Sequence, residues 1–313
     1  MRKRTMIAVA VVLMVGLAGA GCAARAGTEG FEAPEGAGSD GEQRLQQQAA
    51  DALRRWDDAV AAAGGLAGVV LINDPAIVVG TFEADMAGNA KEALAFGAIE
   101  LAGAPGSLAI LGGQVVWADG TMKTVRTMTV DEALADLRRH SPAGTLCAAC
   151  IPLRVVDATP VTVQVETSWG PATAPAWEFT LAGTSARLRY VAVARNERVT
   201  VTPPSWDPLN APGGLAVESG TVSSDGRALT VYFIGSPGPG SEPCGYDYTA
   251  EAVESATAVV VIVRAAAHVL PAQGEHCSSL GARREATATL AAPLDDRAVL
   301  EVQQGMPVRV DQA

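Results

Sequence analysis

Cysteine and histidine carry the sharpest chemical possibilities in this chain of 313 residues. Cys147-Ala148-Ala149-Cys150 has the spacing of a redox dithiol or of half a zinc site. A redox pair needs its first thiol at a helix N-terminus, where the positive end of the dipole favours thiolate. Here Ile151-Pro152 follows, and Leu153-Arg154-Val155-Val156 reads as a strand, so the required helix is missing. A zinc centre would have to recruit His268, His276 or Cys277, and the adjacent His276 and Cys277 cannot both turn easily to one tetrahedral ion. No metal is therefore expected. The four cysteines Cys147, Cys150, Cys244 and Cys277 allow three disulfide connectivities in an oxidising compartment. The pairings local in sequence, Cys147–Cys150 and Cys244–Cys277, are the expected ones.

Acid–base chemistry finds little support. Only three histidines exist, His140, His268 and His276, and neither H-E-x-x-H nor G-x-S-x-G occurs. A Ser/His/Asp set built in space from His140 or His268 would have no local signature. Asp247 with Glu251, or Glu251 with Glu254, could supply the two carboxylates of a glycan hydrolase. On a strand the first pair would share a face and the second would not. Such carboxylates more often form a solvated strand face. The Gly235–Gly240 loop lacks the Lys-Ser/Thr ending of a phosphate loop, and Asp57-Asp58 and Asp295-Asp296 lack the alternating oxygen ligands of a calcium loop. No catalytic residue and no cofactor is expected. Trp206, set among prolines in an irregular stretch, is the candidate binding residue, whereas Trp56 and Trp177 fall on element patterns and are expected in the core.

The N-terminus places the chain outside the cytoplasm. Arg2, Lys3 and Arg4 precede an uncharged apolar run from Met6 to Gly21, the layout of a secretory signal peptide. That run is shorter than the roughly 20 residues a membrane-spanning helix needs. Leu17-Ala18-Gly19-Ala20-Gly21-Cys22 resembles a bacterial lipobox, with Gly19 where leucine is usual. The resemblance implies lipidation of the Cys22 thiol and a mature N-terminus at that residue. The membrane would then be a partner through that lipid, the protein standing on the outer face of the cell membrane. Plain secretion after Ala18-Gly19-Ala20 is the alternative. Residues 22–41, rich in Ala, Gly and Glu, read as a flexible tether. Removing Arg2, Lys3 and Arg4 with the signal peptide (residues 1–21) takes the net charge from −11 to −14. Such a surface repels phosphate backbones, so nucleic acid is not an expected partner.

The elements that would position these residues are mostly strands. Leu45, Ala49, Ala52, Leu53, Trp56, Val60 and Ala63 recur at helical spacing after Ser39 and Glu42, which resemble a capping box, and Gly64-Gly65 ends the helix. Strands are expected at 66–72, 76–82 and 91–101, and Asp119-Gly120 marks a hairpin between 114–118 and 121–125. Thr129 with Glu132 opens a second helix that ends near His140. From Cys147 on, short apolar runs punctuated by Gly, Pro and Ser read as strands at 152–157, 161–167, 176–182, 186–194, 227–234, 246–254, 257–264, 284–290 and 297–302. Thr257–Val263 reads as a central strand covered on both faces, and Ser224-Asp225-Gly226 as a turn. The expected fold is α+β overall and predominantly β. A small α+β domain over 42–145 precedes an antiparallel β-sandwich-like region over 146–313, with two small sandwiches split near 203–214 as the alternative.

Three stretches resemble uncharacterised actinobacterial lipoproteins: Glu166-Thr167-Ser168-Trp169-Gly170-Pro171-Ala172 with Pro175–Phe179, Cys244-Gly245 with Tyr248–Ser255, and Pro293-Leu294-Asp295-Asp296-Arg297. The resemblance implies export and one folded secreted unit, and lends no site residues. The expected function is a non-enzymatic binding or structural module of the cell envelope, its partner an envelope protein or glycan. The rival expectation is an envelope hydrolase using paired carboxylates. Oligomeric state is not legible.

Overall fold

The computed structural model describes residues 39–65, 68–72, 74–103, 112–139, 150–204, 211–269 and 276–313. Cys22, His140, Cys147 and Trp206 lie outside them. In chain order the elements are helix α1 (Ser39–Ala62), β1 (Val69–Val70), β2 (Ala76–Val79), α2 (Ala87–Ala95), β3 (Ile99–Leu101), β4 (Gln114–Trp117), β5 (Met122–Thr124) and α3 (Val130–Arg139). Then follow β6 (Leu153–Thr167), β7 (Gly170–Leu181), β8 (Arg187–Val191), β9 (Arg198–Val199), β10 (Val217–Val222) and β11 (Ala228–Gly235). The last are β12 (Asp247–Glu254), β13 (Ala258–Ala266), β14 (Ala282–Thr289), β15 (Ala298–Glu301) and β16 (Pro307–Gln312). The fold is α+β and predominantly β.

Two curled sheets organise these strands. The first runs β2-β8-β7-β4-β5, with β6 paired along nearly the whole of β7 and β3 added to the start of β6. Along β7, even residues (Ala172, Ala174, Ala176) face one core with Val115, Trp117, Val163 and Val193. Odd residues (Trp177, Phe179, Leu181) face another, covered by α2 and α3. This is the period-two alternation of a strand buried on both sides. The second sheet runs β12-β13-β15-β16-β10-β11-β14. Its β13 is also buried on both faces: Ala258, Val260 and Ile262 meet α1, while Val259, Val261 and Val263 meet β10, β11 and β14. The expected central strand is thus found, and its unbroken apolar run has this double cover as its cause.

Several local expectations hold. The α1 residues named from spacing form its buried stripe, with Trp56 1% exposed and its Nε1 donating to the Thr257 carbonyl at 3.2 Å. At the start of α3, Thr129 N donates to Glu132 Oε2 (2.9 Å) and Glu132 N to Thr129 Oγ1 (3.2 Å), the reciprocal capping box. Gly120 and Gly226 carry positive φ at the two expected turns, where a side chain would be strained.

Four expectations are corrected. The 91–101 segment is not one strand: Ala87–Ala95 is helix α2, Gly97 turns with φ 62°, and only Ile99–Leu101 is strand. Its Ala, Lys, Glu and Leu content favours helix, and that propensity overrides a short apparent alternation. Glu42 does not cap α1, which already begins at Ser39. Its carboxylate instead binds the Arg264 guanidinium, Nη2 to Oε1 at 2.6 Å. The boundary expected at 145/146 passes through the first sheet, because β4 pairs with β7 and β2 with β8. The chain crosses between sheets in the interval from β9 to β10, which contains the suggested 203–214 split. Finally, the two sheets are mixed, with β10–β16, β13–β15 and β3–β6 parallel, and β1 and β9 form a separate two-stranded parallel sheet.

Candidate functional site

The β6–β7 hairpin closes through a two-residue loop, Ser168-Trp169, with Thr167 paired to Gly170. Thr167 is 1% exposed and its single hydroxyl does three jobs. It accepts from Trp117 Nε1 (3.0 Å) and from the Trp169 backbone N (3.2 Å), and donates to the Gly170 carbonyl (2.7 Å). That exhausts one donor and two lone pairs. Gly170 takes φ 98°, a conformation that would strain any other residue. The result is a rigid tip from which Trp169 projects 45% exposed, its ring centroid 5.6 Å from that of Trp117.

The tip overhangs one end of the second sheet. Between them lies a cleft of about 250 Å³ lined by Ser168 and Trp169 on one side and by β10, β15, β16 and the turn before β15 on the other. Its floor is apolar: Val222, Leu294, Ala298, Val299, Val308 and Val310. Asp295, Arg297, Asp311 and Gln312 complete the lining. Arg297 is wholly engaged: Nη1 donates to Glu254 Oε2 (2.6 Å), Nη2 to the carbonyls of Ala292 (2.7 Å) and Pro293 (2.8 Å), and Nε to that of Leu294 (3.4 Å). It holds the turn that presents Asp295, which sits at φ 45°. Asp311 accepts from Arg309 Nε at 2.9 Å, and Arg309 Nη1 approaches Glu166 of the hairpin at 3.6 Å, an ion pair between the two sheets. Among the described residues none donates a hydrogen bond to the Asp295 carboxylate.

Residues singled out by their types are placed as follows. Cys244 and Cys277 form a disulfide with Cα atoms 5.4 Å apart, as expected. Cys150 is also disulfide-bonded. Cys22, Cys147 and Trp206 lie outside the described residues. Among the described residues, no three His, Cys, Asp or Glu side chains converge as metal ligands. Asp247 and Glu251 do share a face of β12, but four residues of strand separate them by about 13 Å, beyond the roughly 5–9.5 Å of glycosidase pairs. Each has its own partner. The Gly240 N–H and then His268 hold the Asp247 carboxyl below its usual range against a small desolvation cost. The Arg264 guanidinium and Gln46 do the same for Glu251. A general acid requires the opposite shift. Glu254 points elsewhere, to Arg297 and the Ala291 N–H. His268 Nε2 lies 3.0 Å from Asp247 Oδ2 with both side chains exposed, and no described serine hydroxyl bonds to His268.

One charged cluster has no counterpart in the sequence reading. Asp136 of α3 is 0% exposed and accepts from Arg198 Nη2 (2.6 Å) and the Tyr190 hydroxyl (2.9 Å). Burial pushes the Tyr190 hydroxyl well above its ordinary pKa. Arg198 is 2% exposed. The trio ties α3 to β8 and β9, and the half-exposed Arg139 and Arg195 approach the same carboxylate from the surface. Its only sequence signal was an aspartate beside the apolar stripe of α3.

No family model, curated protein or solved structure matches the chain. Among the described residues no helix is long and apolar enough to cross a membrane.

Proposed function

We propose that the chain is an exported, lipid-anchored bacterial surface protein that serves as a non-enzymatic binding module of the cell envelope. The observation that carries this reading is Trp169: a large aromatic held on an immobilised hairpin tip, beside an apolar-floored cleft at the junction of two sheets. Junctions of this kind are common sites for ligands, and an aromatic fixed before binding loses little entropy on contact. The lipobox-like Cys22 and the Cys244–Cys277 disulfide are compatible with an oxidising, extracytoplasmic location. Trp169 joins Trp206, which lies outside the described residues, as a named contact.

The test has two parts. Intact mass of the protein extracted from its own host's membrane should correspond to a diacylated chain beginning at Cys22, and an unlipidated chain cleaved elsewhere would remove the anchor. Purified envelope fractions, glycan and protein separately, should then be retained by the native protein and lost with Trp169→Ala. Equal retention by both would remove the site.

A further inference from the structure

The cleft's chemistry narrows what it can hold, and this step rests on the binding reading above. Its floor is six aliphatic side chains, its wall the indole of Trp169, and its polar groups are Ser168, Asp295, Arg297, Asp311 and Gln312. The one guanidinium in the lining, Arg297, has its nitrogens committed to Glu254 and to backbone carbonyls. Arg309, nearby, is held by Asp311 and Glu166. The Asp295 carboxylate, by contrast, is exposed at the cleft and has no protein donor among the described residues, while Arg297 clamps the turn that carries it.

An anion entering this cleft would meet the Asp295 carboxylate, whereas the guanidiniums of Arg297 and Arg309 are already paired with Glu254 and Asp311. A fully hydroxylated sugar would lay polar groups on the valine floor, at a desolvation cost. A cation with a short apolar stem satisfies every wall at once. Its charge meets Asp295, its stem covers the valines, and the face of Trp169 attracts it through the ring quadrupole. The volume, about 250 Å³, suits one side chain or one small molecule. We infer that the cleft between the Ser168-Trp169 hairpin tip and the Pro293–Arg297 turn binds an organic cation, an ammonium or guanidinium carried on a short alkyl stem.

Such a group can arrive as a free small molecule or on a peptide, and matched probes separate the two. Choline would be titrated against its uncharged isostere 3,3-dimethylbutan-1-ol, and N-acetyl-lysine methylamide against N-acetyl-norleucine methylamide. The protein would be the full mature chain in detergent, followed by calorimetry and by the indole ¹H–¹⁵N signals, with Trp169 assigned through Trp169→Phe. The charged member of at least one pair should bind roughly tenfold or more tightly than its neutral partner, as ion pairing with Asp295 and cation–π attraction to the indole together imply. It should shift the Trp169 signal, and Asp295→Asn should abolish the preference. Asparagine tolerates the left-handed backbone, so that variant should fold normally. Equal binding of charged and neutral probes, or an unaltered preference in Asp295→Asn, overturns the cation assignment. A Trp169 shift produced by N-acetylglucosamine alone overturns it too, yet leaves the binding module standing. If Trp169→Ala retains every affinity the native chain shows, the site itself falls.

Discussion

A single hydroxyl, that of Thr167, decides whether Trp169 is a fixed contact or a mobile one. Thr167→Val preserves shape but removes the acceptor for buried Trp117 Nε1 and for the Trp169 N–H. Leaving a buried donor unsatisfied costs about 1–3 kcal/mol. Denaturant unfolding should show that loss, and ligand affinity should fall as well because the tip must be ordered anew on binding. Loss of stability with affinity unchanged would separate the hairpin from recognition. Asp136 makes a second test at this scale. Asp136→Ala leaves the Arg198 guanidinium buried without its carboxylate, and removing one partner of such a pair costs about 3–5 kcal/mol. Arg139→Ala and Arg195→Ala, whose side chains are half exposed, should change stability by less than about 1 kcal/mol. The three variants, compared by the same unfolding curves, show whether burial or charge count governs the cluster.

Among the elements, those with a complete local signature were legible in the sequence. Helix α3 carried its capping box and stripe, β4–β5 its Asp-Gly turn, and β13 an apolar run unbroken from Ala258 to Val263. Pairings that depend on distant partners were not. β10 and β16 lie side by side in parallel although the whole chain from β11 to β15 intervenes, and neither has a turn motif to announce its neighbour. The first sheet likewise draws strands from both sides of Cys147, so a boundary read from composition fell inside it. The site was half legible: Trp169 and the Pro293–Arg297 turn were conspicuous as residue strings, but the cleft exists only where the two meet. The disulfide was legible because both cysteines are local to one region, and it makes a prediction. It ties the loop before β12 to the segment before β14, closing 33 residues. Chain-entropy arguments give such a link roughly 3–4 kcal/mol. Cys244→Ser with Cys277→Ser should lower stability by that order in urea unfolding. A loss below about 1 kcal/mol would mean that the paired β11–β14 and β12–β13 ladders already confine the unfolded ensemble.

At the scale of the whole molecule, α1 joins the parts. Its N-terminal end lies against Arg264 near the close of β13, and its C-terminal half against Thr257 at the start of that strand. The helix, about 36 Å long at 1.5 Å for each of its 24 residues, therefore runs antiparallel to β13. A tether entering at Ser39 would arrive at one pole of the second sheet, while the cleft lies at the other, where β15 begins and β10 and β16 end. A chain anchored through Cys22 would thus present Trp169 away from the anchored pole. The acid response also belongs to this scale. Several carboxyls, Glu251 under Arg264 and Glu132 under the Thr129 N–H among them, are held below their ordinary range in the folded state. The folded form then binds fewer protons than the unfolded one, so their contribution is present above about pH 4.5 and is lost as pH falls through the lower folded values. Midpoint temperatures should be flat from neutrality to about pH 5 and decline below pH 4, and a constant value down to pH 3 would contradict the linkage. The strongest test of a single folding unit is Trp56. Its indole packs in a cluster that takes Val70, Val199 and Val201 from the first sheet's connections and Ala258, Val260, Leu300 and Val302 from the second sheet. Trp56→Ala should cost about 3–5 kcal/mol. Because the cavity opens on both sides of the junction, calorimetry should show one transition moved as a whole. Two separated transitions in the native protein, with only the later-chain unit shifted by the substitution, would mean that the sheets fold independently and that α1 belongs to the second alone.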